Sequence, residues 1–293
     1  DPELLQVPPR RLAYTAEKPF VFLHLSKCAG MSMIHDLAYM GYTHYSVKLP
    51  STLSTAASCD SGSSPKCCWW GERLANLSAS GSSVKILQQE PGNEVQWIDE
   101  SQLNHVGHTI DPGFEMATDF CADFAYLTVL RHPIERVHSH MCHIGANFVM
   151  WQEPHVNRPG HVKTQLRDNY YVRAFGGAAA WNAPEGGLRR QDLLTAARTL
   201  SRFDVVMTVD SIVADAAAQM GRVGLPGFQW RHSFDGSRAD NLKRAGSEAR
   251  WRRSCQERPT HAQLGRLVAA CSLDAVLYEF ARVLSARRTA SAN

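Results

Sequence analysis

No apolar run in this sequence approaches the roughly 20 residues that a membrane-crossing helix needs. No secretory leader opens it either. The chain begins at Asp1 rather than Met, the start expected of a processed or truncated polypeptide, so an N-terminal anchor ahead of it stays compatible with the rest. An excess of one charge is also lacking. The 31 basic residues against 28 acidic ones leave a formal net charge of +3. That balance argues against a protein whose binding rests on the polyanionic backbone of nucleic acid. Lys is scarce, 7 of the 31 basic residues, so Arg supplies nearly all the positive charge. The planar guanidinium fork suits sulfate, phosphate and carboxylate, although codon bias yields a high Arg share equally well. The 8 Cys include no CxxC pair, and adjacent Cys67 and Cys68 are poorly spaced as zinc ligands. No repeat and no long linker divides the 293 residues.

What is present reads as one globular domain, 44% hydrophobic and 20% charged, large enough to bury a sizeable core. Residues 1–18 are a Pro-rich, polar lead-in, 19–287 the domain, and 288–293 a tail. A Ser- and Thr-rich inserted loop is expected around 46–82. Short runs rich in β-branched and aromatic residues predict buried strands at 19–25, 83–89, 124–130 and 204–209. Helical spacing predicts helices over 31–41, 134–145, 164–175, 188–202, 211–221 and 262–284. Strands alternating with helices predict an α/β fold: a central parallel sheet flanked by helices.

Two segments carry the chemistry. HLSKCAGMSM (24–33) is a strand end, a tight turn with Lys27 and Gly30, and a helix start. Helix N-terminal N–H groups point outward with partial positive charge and hold phosphate or sulfate oxygens. Lys27 adds a mobile full charge, Gly30 permits close backbone approach, and the Ser32 hydroxyl is a further donor. The turn is not the GxxxxGK[ST] loop of nucleotide triphosphatases. An ordinary strand–turn–helix with one exposed Lys is the plainer explanation of this segment alone. LTVLRHPIERVHSHM (127–141) is a strand, an Arg-x-Pro turn and a helix. Arg131 falls where the strand ends, the sheet edge at which ligands bind in parallel sheets. Ser139 follows two helical turns later. A surface Arg at a helix start explains this segment equally well when it stands alone.

Taken together, PFVFLHLSKCAGMSM and LTVLRHPIERVHSHM resemble the two phosphosulfate-binding segments of sulfotransferases. The resemblance is nearest to the Golgi carbohydrate sulfotransferases, the branch that includes heparan sulfate 2-O-sulfotransferase and related bacterial enzymes. Those segments read roughly as PKTAGTS after a strand and as R-D-P-hydrophobic-E-R-x-x-S, and here they stand in the family's order and spacing. NHVGHT (104–109), RDNYYVRAFGG (167–177), FDVVMTVDSI (203–212) and LDAVLYEFA (273–281) extend the likeness over most of residues 19–284.

The resemblance implies a P-loop-nucleotide-kinase-like sheet and 3′-phosphoadenosine 5′-phosphosulfate (PAPS) as donor. It implies transfer of a sulfuryl group to a hydroxyl, or less readily an amine, of a carbohydrate or other small acceptor, with no metal. By position it implies that Lys27 meets the leaving-phosphate side of the donor. The segment Cys28, Ala29, Gly30, Met31 and Ser32 would hold the 5′-phosphate, and Arg131 and Ser139 the 3′-phosphate. Ser237 and Arg238 are candidates for a late loop that completes the 3′ site. His108 matches the family's Gly-His histidine and would be the general base, with His105 in reserve. A neutral imidazole suits that task near neutral pH. A structural or loop histidine is the alternative for either, since the chain has 13 His.

The branch further implies a type II membrane protein of the Golgi lumen with its anchor removed. A secreted or cytoplasmic setting is the alternative. The sequon Asn76-Leu77-Ser78 and a disulfide stapling CDSGSSPKCC, between Cys59 and Cys67 or Cys68, accord with the lumenal setting.

Three positions depart from the family pattern. Met31 stands for a Thr, His132 for the Asp of R-D-P, and Ser26 for a Pro. Met31 and His132 keep open a non-catalytic protein that grips a glycan or nucleotide on the same fold. A nucleotide-dependent phosphotransferase shares the strand–turn–helix logic and is a further alternative, against which the absent Walker Lys-Ser/Thr pair weighs. HSHMCH (138–143) is read as helix surface rather than a metal cluster, because His138 and His140 point apart on a helix. Trp69, Trp70, Trp151, Trp181, Trp230 and Trp251 are read as core or loop anchors rather than sugar platforms.

Overall fold

The computed structural model describes residues 20–25, 27–40, 44–46, 86–89, 125–144, 146–152, 164–231 and 258–291. Among the described residues, five strands form a parallel sheet: β1 (Phe20–Leu23), β2 (His44–Ser46), β3 (Ile86–Gln89), β4 (Ala125–Leu130) and β5 (Val205–Thr208). Their spatial order is β2-β3-β1-β4-β5, and every paired neighbour runs parallel. β4 reads AYLTVL and β5 VVMT, and both are buried throughout. Such continuous apolar runs suit strands covered on both faces.

Alternation along these strands feeds two cores. Tyr126, Leu130 and Val206 join the cluster on one face, while Leu127, Val129, Val205 and Met207 join the other. The second face is covered by α1 (Gly30–Tyr39), through Met33 and Leu37, and by Ile212, Ala216 and Met220 of a later helix, Ile212–Arg222. The first face receives α2 (Pro133–Ile144), α3 (Phe148–Gln152), α4 (Thr164–Arg167), α5 (Tyr170–Phe175), α6 (Gly177–Asn182) and α7 (Arg190–Ser201). The helix Ile212–Arg222 is α8. Two C-terminal helices follow, α9 (His261–Ala270) and α10 (Ser272–Ala290), and α10 packs along β5. The architecture is therefore α/β, a parallel sheet between helices.

The helix expected over 164–175 is two short ones, broken at Asn169, whose backbone is left-handed (φ 47, ψ 55). A tertiary exchange of caps explains the break. Asn169 Oδ1 accepts from the N–H groups of Leu273 (2.9 Å) and Asp274 (3.1 Å), at the start of α10. Asp274 answers by accepting from Tyr171 N (3.1 Å) and Val172 N (2.9 Å), at the start of α5. Each side chain satisfies N–H groups that have no intrahelical partner.

Burial pushes the Asp274 carboxyl up to about 6, against the downward pull of the Val172 and Tyr171 N–H groups and of Arg136. A folded-state value above the unfolded one makes this group's contribution to stability full below about pH 4 and lost as pH rises through about 6. Asp274→Ala is expected to destabilise the protein by about 1–3 kcal/mol at neutral pH, since two buried donors lose their acceptor. In urea unfolding the gap to the parent protein should be widest below pH 4 and narrow as pH rises through about 6. A constant gap would contradict that assignment.

Other expectations need adjusting. The C-terminal helical region breaks at Cys271 and runs on to Ala290, with Arg288 donating to Ser201 O at 2.8 Å. HSHMCH is not helix surface throughout: His140 is only 2% exposed and meets Trp151 edge-on, because α3 folds back over α2. β2, α3 and α6 fall where the sequence pattern predicts no element. Trp151 and Trp181 are buried anchors as expected, and Trp230 packs against the second core. The inserted loop over 47–82, with its sequon and cysteines, lies outside the described residues. Among the described residues, no helix is long and apolar enough to cross a membrane.

Candidate functional site

Chain direction locates the site. From β1 the chain passes through α1 toward β2, on the far side of β3, whereas from β4 it proceeds to β5 on the opposite side. Adjacent parallel strands whose connections diverge open a crevice at their carboxyl ends, and ligands of open α/β sheets bind there. β1 and β4 are such a pair. They are in register at Leu23 and Thr128, and Thr128 Oγ1 donates to Leu23 O at 3.1 Å. The turn with Lys27 follows β1, and Arg131 is the first residue after β4. The two chemistry-bearing segments are therefore neighbours at one sheet edge.

The turn after β1 is strained. Lys27 (φ 65) and Ala29 (φ 62) are both left-handed without being Gly. Such conformations cost on the order of 1–3 kcal/mol each and persist only where surroundings impose them. The turn closes with Cys28 N donating to Leu25 O at 3.3 Å, and the first intrahelical bond is Met33 N to Ala29 O at 3.0 Å. The N–H groups of Gly30, Met31 and Ser32 thus belong to the orphan set at the head of a ten-residue helix. Gly30 lies against His24. A Cβ there would come within 1.8 Å of the imidazole, itself stacked on Phe22.

Lys27 is depressed to about 8, first by burial and then by the like charge of Arg131. Two cations from separate turns therefore share one electrostatic neighbourhood. Arg131 Nε donates to Glu135 Oε2 at 3.2 Å, one turn into α2. That pair is solvent-exposed, so it is worth little and yields readily to an incoming anion. Ser139 is half-buried and lies one further turn along from Glu135, on the same helix face.

Tyr171 joins the two turns. Its hydroxyl donates to Arg131 O at 2.6 Å, accepts from Arg131 N at 3.1 Å, and lies 3.2 Å from Cys28 Sγ. Cys28 is in no disulfide, is 1% exposed and faces this core contact, so the turn can present only its backbone to a ligand at that position. Burial pushes the thiol up. Beneath Tyr171, the buried Arg136 guanidinium stands 4.5 Å from the Tyr170 ring centre and 6.0 Å from that of Tyr171, and it donates to Leu166 O. Arg136 belongs to the second segment but serves the core.

The edge continues over β5. Tyr278 donates to Asp210 Oδ2 at 2.5 Å, and His132 packs edge-on against the Tyr278 ring, centroids 5.6 Å apart. Burial, then Asp210, pushes the Tyr278 phenol up. Neither Tyr171, Tyr278 nor Asp210 is singled out by sequence pattern.

The structure therefore brings Lys27, Cys28, Ala29, Gly30, Ser32 and Arg131 to the carboxyl end of the adjacent strands β1 and β4, with Ser139 on the adjoining helix. The Met31 backbone heads α1 with them. His105, His108, Ser237 and Arg238 lie outside the described residues. Among the described residues, no three His, Cys, Asp or Glu side chains form a group able to hold a metal ion. No protein-family model matches the chain, and neither does any curated protein.

Proposed function

We propose that the chain is a sulfotransferase on a P-loop-nucleotide-kinase-like sheet, moving the sulfuryl group of PAPS to a hydroxyl of a carbohydrate or other small acceptor. One observation supports this above the rest. Lys27 and Arg131 follow adjacent strands at the crevice of a parallel sheet, near enough for the Arg131 charge to depress Lys27. A ligand with two separated phosphates fits such a pair of cationic turns. In this reading the head of α1 and Lys27 hold the 5′-phosphate, and Arg131 with Ser139 the 3′-phosphate.

The chemistry follows from where charge develops. The acceptor oxygen gives its proton to His108 as its bond to sulfur forms. The bond from sulfur to the bridging oxygen breaks, and the electron pair stays on the departing 5′-phosphate. Lys27 and the α1 N–H groups face that growing negative charge, so they favour the transition state over the ground state. Holding donor and acceptor together supplies proximity. A lumenal setting behind an N-terminal anchor, with a glycan acceptor, belongs to the same proposal.

The test combines calorimetric titration with adenosine 3′,5′-bisphosphate and incubation with sulfate-labelled PAPS and a panel of glycans. Binding and label on an acceptor are expected. His108→Ala should keep bisphosphate binding while lowering turnover by about 10²–10⁴-fold. Binding without transfer would favour the non-catalytic protein of the same fold, whose support is Met31 and His132. Binding of nucleoside triphosphate in place of the bisphosphate would favour phosphoryl transfer.

A further inference from the structure

We propose that Tyr171 is a positioning residue that couples the two anion-binding turns, its buried hydroxyl setting the separation at which a ligand with two phosphates is gripped. The identity of that ligand rests on the sulfotransferase reading; the coupling itself rests on contacts in the structure.

A phenol hydroxyl has one hydrogen to give and two lone pairs to receive. Arg131 O takes the hydrogen at 2.6 Å. Arg131 N supplies one incoming bond at 3.1 Å. The remaining lone pair faces Cys28 Sγ at 3.2 Å, so the thiol must be the donor there. The hydroxyl is then saturated, and every bond it makes goes to one turn or the other. The backbone of Arg131 is held at both its N–H and its C=O, and the turn after β1 is held at its central residue, between the two left-handed positions.

Tyr171 is itself fixed from behind. Its N–H is bound by Asp274 Oδ2 at 3.1 Å, and its ring is fully buried beside Tyr170 and the Arg136 guanidinium. The anchor of both turns is therefore a rigid core side chain on α5, an element that carries neither cation. Thr128 Oγ1 ties the strands themselves, one step below.

This arrangement separates two kinds of ligand. A single phosphate meets one turn, and the spacing between turns is immaterial to it. A second phosphate on the same molecule gains from the first only when the two sites sit at the right distance, as an effective concentration. The quantity to measure is the ratio of the dissociation constants of adenosine 5′-monophosphate and adenosine 3′,5′-bisphosphate, which is the gain from the 3′-phosphate. Tyr171→Phe keeps the ring and removes the hydroxyl. It is expected to shrink that gain about tenfold, while the monophosphate constant changes less than about threefold. Cys28→Ala removes one of the three contacts and should shift the gain in the same direction by a smaller factor, and it tests the idea should Tyr171→Phe fold poorly.

A merely structural role would weaken both nucleotides alike and leave the ratio where it was. An unchanged ratio in both variants, with tight bisphosphate binding by the parent protein, would overturn the coupling and leave the sulfotransferase reading standing. A parent protein that gains nothing from the 3′-phosphate would overturn the reading and the coupling together.

Discussion

Lys27→Met is expected to raise the midpoint of thermal unfolding while lowering transfer from PAPS by about 10²–10³-fold, the range seen when one charge-stabilising donor is removed from an active site. The two halves have one cause. Lys27 is largely buried in a strained turn, and burial followed by the Arg131 charge holds its ammonium down at about 8. The folded protein thus binds this proton less tightly than the unfolded chain does. In the window from about 8 up to the ordinary 10.5 the unfolded state carries more protons, so this group makes stability rise with pH there. Below that window the full penalty of the charge remains.

Met keeps the apolar stem and removes the charge, so the penalty disappears from the unliganded fold. An anion in the crevice offsets the penalty instead, and the leaving phosphate of a transferring sulfuryl group does so most. Bisphosphate affinity of the parent protein should therefore fall as pH rises through about 8, and that inflection should be absent from the variant. Calorimetry across pH 6–9 with parallel thermal melts would check both. A variant that is less stable, with the inflection intact, would make Lys27 a structural residue and remove it from the site.

The segments that frame this site were legible because local chemistry dictates them. A run such as FAYLTVL has Thr128 as its one small polar residue and no charge with which to face water, so it belongs inside a sheet, and RHP immediately after it ends the strand and starts a helix. The same holds for FVFL before the Lys27 turn and for VVMT. Register and order, which make Lys27 and Arg131 neighbours, are long-range facts absent from any window of sequence. β2 escaped because three residues show no period, and α3 and α6 because their faces are defined only by what they pack on.

Tyr171 escaped for a sharper reason. In an apolar helix beside another Tyr it looks like core, and it is core. Its hydroxyl matters through partners 40 and 143 positions away. Arg136 shows the converse: a charged residue five positions after the Arg131 turn begins that turns inward onto aromatic rings. His140 does the same within HSHMCH, where the pattern of histidines says nothing of the Trp151 that covers one of them.

Arg173→Leu is expected to cost about 3–5 kcal/mol, the range for breaking a buried ion pair by removing one partner. Arg173 is 0% exposed. Its Nε donates to Asp168 O at 2.7 Å, and Nη1 reaches Ala180 O (3.1 Å), Trp181 O (3.3 Å) and Ala183 O (2.6 Å). Nη2 donates to Pro184 O at 3.0 Å and pairs with the Asp168 carboxylate. That carboxylate also accepts from Gly186 N (3.0 Å) and Asn169 Nδ2 (2.9 Å).

The guanidinium therefore closes the carbonyl end of α6 and neutralises a buried acid in one step. Leucine would leave Asp168 charged and unpaired and strand several buried carbonyls. Lysine, with a single ammonium and no planar fork, cannot span the same acceptors, so Arg173→Lys should be nearly as damaging. Against a total of about 5–15 kcal/mol for a typical domain, such a loss removes much of the stability. The same module holds Asn169 and Tyr171, so the damage should spread to the α10 cap and the site together. Urea unfolding followed by circular dichroism is the direct measurement. A stable, cooperative Arg173→Leu protein that had lost only nucleotide binding would move Arg173 from the core of the RDNYYVRAFGG stretch to the ligand.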